Sequence, residues 1–245
     1  MIKNFEELDF QPTHLGDLIL RRRRLHSLGT DVFEVKLGEA FLMSSLFHVV
    51  EEALADLALR EVQADAVDVV VGGLGLGYTA AAALRDQRVR SLLVVDALQP
   101  VIGWHEQGLV PLGKTLTGDP RCSFVHADFS ALAVSHDGFD RHQPRRRFHA
   151  VLLDIDHSPT NLLDPHHAAF YTPAALAKLA WHLHDGGIFA VWSDDPPDED
   201  FMQILDGAFC EVRSHVVTFP NPLLETESAS TVYVARNAEG DRHLL

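Results

Sequence analysis

Cysteine is scarce. Cys122 and Cys210 are the only two in 245 residues, too few for the disulfide framework of a small secreted domain, and each lies in an apolar run where a small buried thiol is expected. Long hydrophobic runs are missing as well. No stretch approaches the roughly 18 apolar residues that a spanning helix needs, and the chain beginning Met1-Ile2-Lys3-Asn4-Phe5 shows no apolar segment of signal-peptide length. The expectation is a soluble, cytoplasmic protein with no membrane partner. Positive charge is in deficit too, with 20 Lys+Arg against 35 Asp+Glu and a formal net charge of −15. That balance argues against nucleic acid as a partner and favours a cationic ligand. The one basic cluster near the N-terminus, Arg21–Arg24, falls in an apparent strand and reads as a solvated strand face. Internal repeats are absent.

What is present is apolar content, 47% of the chain, enough for one large domain or one domain with a small appendage. From Asp17 to about Met43 the pattern gives two strand-like runs around a turn at Ser27-Leu28-Gly29-Thr30. Residues 1–43 therefore read as a small β region containing a hairpin, and 44–245 as a larger α/β domain. Residues 44–60 have amphipathic helical spacing. Buried strands then alternate with helices: strands at Val67–Gly73, Ser91–Ala97, Cys122–Ala127, His149–Ile155 and Gly187–Ser193, and helices near Tyr78–Asp86, Pro100–Gln107, Ala168–His184 and Glu199–Asp206. Continuous Val/Leu/Ile runs suit strands covered on both faces, so the sheet is expected to be parallel with helices on both sides. Cys210–Phe219 and Thr231–Arg236 read as two strands with only a loop between them, an antiparallel pair at one edge. The polar stretch Asp137–Arg147 reads as a solvated insertion.

The chemistry concentrates where strands end. The first buried strand runs into Gly72-Gly73-Leu74-Gly75-Leu76-Gly77 and then a helix, a turn that lets backbone approach a ligand and aims helix N–H groups at it. The ligand expected there is a nucleoside carrying a carboxylate or phosphate. Asp96, ending the next strand about twenty residues on, can accept hydrogen bonds from both ribose hydroxyls. Asp128, after the third, can accept one from an exocyclic adenine amine. The fourth ends in Asp154-Ile155-Asp156-His157-Ser158-Pro159, two carboxylates and an imidazole at the same edge. A carboxylate there can orient an amine and take its proton; the alternative is that one of the two only caps the loop. His166 and His167 beside Asp164 read as solvated, and no metal is expected because no spaced third ligand accompanies them.

Two strings carry a family resemblance. Asp68–Gly77 with Val95-Asp96-Ala97-Leu98-Gln99-Pro100-Val101-Ile102, and Phe148–Asp154 followed by the Pro159 loop, Phe170-Tyr171 and Asp185–Ser193, resemble spermidine synthase-like proteins over nearly the whole chain. These are polyamine aminopropyltransferases with the class I S-adenosylmethionine (SAM)-dependent methyltransferase fold. The resemblance implies a Rossmann-like α/β architecture: a seven-stranded, mostly parallel sheet with an antiparallel C-terminal edge, plus a small N-terminal β-hairpin. It implies SAM or decarboxylated SAM as donor, with Gly73, Gly75 and Gly77 around the amino-acid tail, Asp96 on the ribose and Asp128 on the adenine. Asp154 would be the catalytic base, and Glu51, Asp156, His157 and Tyr171 would contact a small cationic amine acceptor. A homodimer is the expected assembly. The chain also departs from the family. His157 stands where its Asp-Ser-Ser-Asp-Pro-like motif has a second Asp, Phe47-His48 and Glu51 only echo its Tyr-His-Glu, and Phe41 and Trp192 replace two glutamines. The nucleoside pocket is kept and the diamine pocket is not, so an acceptor other than putrescine is expected. The rivals are an NAD-dependent oxidoreductase, supported by the GxGxxA match at Gly75–Ala80, and a degenerate, non-catalytic nucleoside-binding module.

Overall fold

The computed structural model describes residues 4–240. The chain forms two sheets. A four-stranded antiparallel sheet comprises β1 (Phe5–Thr13), β2 (Gly16–Leu25), β3 (Thr30–Leu37) and β4 (Ala40–Ser44) in sequential order. The second has seven strands: β5 (Val67–Gly72), β6 (Val89–Asp96), β7 (Cys122–His126), β8 (Phe148–Leu153), β9 (Leu183–Ser193), β10 (Cys210–Asn221) and β11 (Thr226–Arg236). Their order is β10-β11-β9-β8-β5-β6-β7, with β5 to β9 mutually parallel and β11 antiparallel to both β9 and β10.

Alternation explains the layering. Val69, Val71, Ala150 and Leu152 pack on one side of the sheet, against α1 (Val49–Glu61), α2 (Tyr78–Arg85), α3 (Gln99–Glu106) and α4 (Gly113–Gly118). Val70, Val151 and Leu153 face α5 (Phe129–Val134), α6 (Pro173–Ala180) and α7 (Glu199–Asp206). Successive strand residues point to opposite faces, so a strand buried on both sides is apolar at nearly every position; the exception in β5 is Asp68, which is paired with Arg90 and Arg146. Leu18, Leu20, Val35 and Leu37 of the small sheet join the first cluster, so that sheet shares the core of the large one. No described helix is long and apolar enough to cross a membrane.

Several expectations need correction. The N-terminal hairpin is the centre of a four-stranded sheet. β1 escapes pattern reading because none of its residues is buried. Arg21–Arg24 is not a solvated face: Arg21 and Arg23 both pair with Glu34, itself 2% exposed, while Arg22 meets Glu6 and Arg24 meets Asp31. Segment 137–147 is anchored by buried Phe139 and by Arg146, which donates to Asp140, Asp68 and Ser91. The long helix expected at 168–184 is a 3₁₀ turn (Pro165–Ala169) followed by α6, restarted where Thr172 accepts from the Ala175 N–H. α4 and α5 were not anticipated. Cys210 is exposed, not buried. The last two strands form a hairpin longer than expected, with a turn over 222–225. Its antiparallel course lacks the further parallel strands that the oxidoreductase reading requires.

Candidate active site

All the strand-end residues singled out above lie at the carboxyl edge of the parallel sheet, because parallel strands deliver their C-termini to one side. The glycine turn is shaped by packing as much as by any ligand. Gly73, Gly75 and Gly77 have φ of 93°, 46° and 92°, values that side chains disfavour. A Cβ on Gly73 would run into the Asp154 carbonyl oxygen, since the Asp154 N–H donates to Gly72 O at 2.8 Å and brings the two turns together. Asp96 staples this turn to the start of α3: one carboxylate oxygen accepts from Leu74 N at 2.9 Å, the other from Leu98 N at 2.8 Å. Burial pushes its pKa up, against the pull of these backbone donors. Asp128 is exposed and caps α5, accepting from Ala131 N at 3.2 Å.

A cavity of about 310 Å³ opens here, lined by Gly73, Gly75, Asp96 and Asp128 together with apolar Leu98 and Val101. It has the size and mixed character of a small-molecule site. Gly77 does not reach it. That residue is the N-cap of α2, where a Cβ would strike Leu116 and His105.

A second cavity, of about 300 Å³, lies on the α1 side, lined among others by Glu51, Asp154, His157, Trp192, Asp194 and Phe219. Asp154 lines both cavities. Its carboxylate accepts from Thr79 Oγ1 at 2.6 Å, and burial raises its pKa to about 6 in spite of that bond. Glu51 is raised further, to about 8, first by burial and then by the charge of Asp154. Among the described residues no Lys or Arg lines either cavity, so this region carries unbalanced negative potential suited to cations. No described group of three or more His, Cys, Asp or Glu could hold a metal ion.

Asp156, which also lines the second cavity, is bonded to the buried Tyr171. Asp156 is 5% exposed, and its carboxylate takes Leu163 N at 2.8 Å, His167 Nδ1 at 2.8 Å and Tyr171 Oη at 2.9 Å. These bonds tie down the loop after β8, and they raise the pKa of His167 through its bond to Asp156. His167 is thus partnered rather than solvated, while the neighbouring His166 side chain is 94% exposed. Asp156→Asn leaves donors facing an amide and should lower unfolding stability by about 1–3 kcal/mol, measurable by urea titration. Unchanged stability would overturn this structural role.

Two residues escaped the sequence reading. Asp194 follows β9 and accepts from Ser230 Oγ at 3.1 Å; its place after the fifth strand was a usable signal, the same one that marks Asp96, Asp128 and Asp154. Thr79 offers none, because only the fold brings its hydroxyl to Asp154.

The chain has a class I methyltransferase-type α/β fold, with one cavity framed by the glycine turn beside a second, acidic one. No family model and no curated protein matches the chain. Solved structures do: spermidine synthase from Thermotoga maritima superposes with a TM-score of 0.72 at 14% identity, covering 96% of this chain and 74% of that one. A spermidine synthase in complex with the transition state analogue AdoDATO gives 0.73 at 15% identity, with the same coverages. The chain has a spermidine synthase-like fold, and at these identities the likeness is one of fold.

Proposed function

We propose that the protein is a transferase that moves an aminopropyl group from decarboxylated SAM to a small cationic amine. The observation that carries this reading is the position of Asp154, which lines both the nucleoside-sized cavity and the acidic one. The donor set suits an adenosyl sulfonium: Asp96 and Asp128 can accept from hydroxyls and an amine, Leu98 and Val101 offer an apolar wall, and the carboxyl groups nearby match a positive centre. With no lining Lys or Arg, the carboxylate of SAM would find no guanidinium or ammonium partner among several carboxyl groups, which favours the decarboxylated, amine-terminated donor over SAM and disfavours the anionic pyrophosphate of NAD.

The bound donor supplies an electrophilic carbon attached to sulfur. Asp154 orients the acceptor amine towards that carbon and receives its proton as the new C–N bond forms and the C–S bond breaks. The sulfur departs as a neutral thioether, so positive charge leaves the reacting centre as the proton reaches Asp154. Positioning and electrostatic matching are the protein's main contributions to such a displacement.

Isothermal titration tests the first half. Decarboxylated SAM and methylthioadenosine should bind, and SAM at least about tenfold more weakly, a difference of about 1.4 kcal/mol. No heat with any of the three, in folded protein, would sink the proposal. Labelled donor with a panel of amines then tests transfer. Donor binding without turnover of any amine would leave the non-catalytic nucleoside-binding module as the surviving reading.

A further inference from the structure

Glu51 stands apart from the other acidic groups of the second cavity. Asp154 accepts from Thr79, Asp156 from Leu163, His167 and Tyr171, and Asp194 from Ser230. Among the described residues the Glu51 carboxyl finds only its own backbone N–H. Yet it lines the same cavity as Asp154 and lies close enough to feel its charge, and α1 is held against the end of β8 by Thr79, whose hydroxyl donates to Asp154 and lies 3.4 Å from the Glu51 carbonyl oxygen.

No described Lys or Arg lines the cavity that the two share. On α1 the neighbour Glu52 is turned to Arg85 at 2.6 Å. Tyr78 of α2 is stacked on His48. Asp194 comes from the end of β9, and Asp156 and His157 from the loop after β8; His48 and His157 are the only basic side chains in the described lining. Two carboxyl groups that share a secluded cavity do not both ionise readily, because the charge of the first holds the proton on the second.

We propose that Glu51 and Asp154 act as a proton-sharing pair in which, at neutral pH, Asp154 carries the charge and Glu51 keeps the proton. Burial and the Asp154 charge, which raise Glu51 to about 8 while Asp154 rises only to about 6, agree with that order. One consequence rests on the transferase reading: a cationic amine entering the cavity drives the Glu51 proton into solvent, so the occupied site presents two negative charges where the empty one presents a single charge. Asp154 remains the proton acceptor, and Glu51 sets the charge that holds the amine.

The test needs neither donor nor acceptor, so its failure and that of the transferase reading are seen separately. Protein labelled with ¹³C at Asp and Glu carboxyls is titrated by NMR from about pH 4 to 9, with Glu51→Gln and Asp154→Asn assigning the two resonances. The expected Glu51 midpoint lies above pH 7 and falls by about one unit or more in Asp154→Asn. In Glu51→Gln the Asp154 midpoint barely moves, since Glu51 is already neutral when Asp154 titrates. A Glu51 midpoint below 5, or one that Asp154→Asn leaves in place, overturns the pair. Thermal melting gives a second reading should Asp154→Asn fail to fold. The folded protein holds the Glu51 proton more tightly than the unfolded chain, so this group's stabilisation is complete below its ordinary value of 4.5 and is lost as pH rises to about 8. Wild-type stability should therefore fall between pH 6 and 8, while that of Glu51→Gln falls less; equal slopes would also overturn the proposal.

Discussion

Asp154→Asn should lower turnover by about 10²-fold or more, the usual size of a lost general base, while the donor dissociation constant stays within about twofold. The amide keeps the shape and can still accept from Thr79, but it cannot take a proton from the amine. The wild-type enzyme should lose turnover as pH falls through about 6, where Asp154 becomes protonated, and the variant should show no such limb. Stopped-assay kinetics across pH, with calorimetric donor binding, would measure both. Wild-type turnover in the variant would make Asp154 a loop residue and end the base mechanism.

Gly73→Ala should destabilise the fold by about 2–5 kcal/mol, combining a disfavoured φ with overpacking, and should abolish donor binding. Gly73 has φ 93°, and the atom its Cβ would strike is the backbone carbonyl of Asp154. That carbonyl belongs to a turn fixed by the Asp154 N–H on Gly72 O, so it cannot swing aside as a flexible side chain would. Relief would require β5 and β8 to part at their ends, spoiling both cavities together. Chemical unfolding and donor titration report the two effects, and a variant that melts and binds like wild type would show that the glycine turn has slack the structure denies.

The legible part of this protein is the part that depends on local order along the chain. A short Val-rich run such as Val67–Gly72, broken only by Asp68, suits a strand covered on both faces, and a glycine turn followed by a helix marks its carboxyl end. Because parallel strands bring all those ends to one edge, Gly73, Gly75, Asp96, Asp128 and Asp154 could be grouped into one site from spacing alone. Elements with weak periodicity were harder. β1 has no buried residue, and α4 and α5 have only six residues each, too short for a helical repeat to stand out. The Arg21–Arg24 run looked like a solvated patch because the partner of Arg21 and Arg23, Glu34, is on the next strand.

By itself, then, the sequence determined the parallel sheet, its antiparallel closing edge and the row of carboxylates along it, since each follows from patterns within a single strand and the turn after it. How each carboxylate is partnered was decided only by the tertiary structure. Asp154 and Asp156 lie two residues apart after the same strand. Folding gives Asp156 three internal donors from Leu163, His167 and Tyr171, gives Asp154 one hydroxyl from Thr79, and sets Glu51 of α1 in the lining of the same cavity. It also turns Gly77 away from the cavity that Gly73 and Gly75 line and onto Leu116 and His105. These partners lie from 7 to 103 residues apart in sequence, so no local pattern encodes their meeting; hydrogen-bond satisfaction and core packing bring them together and thereby assign each charge its role.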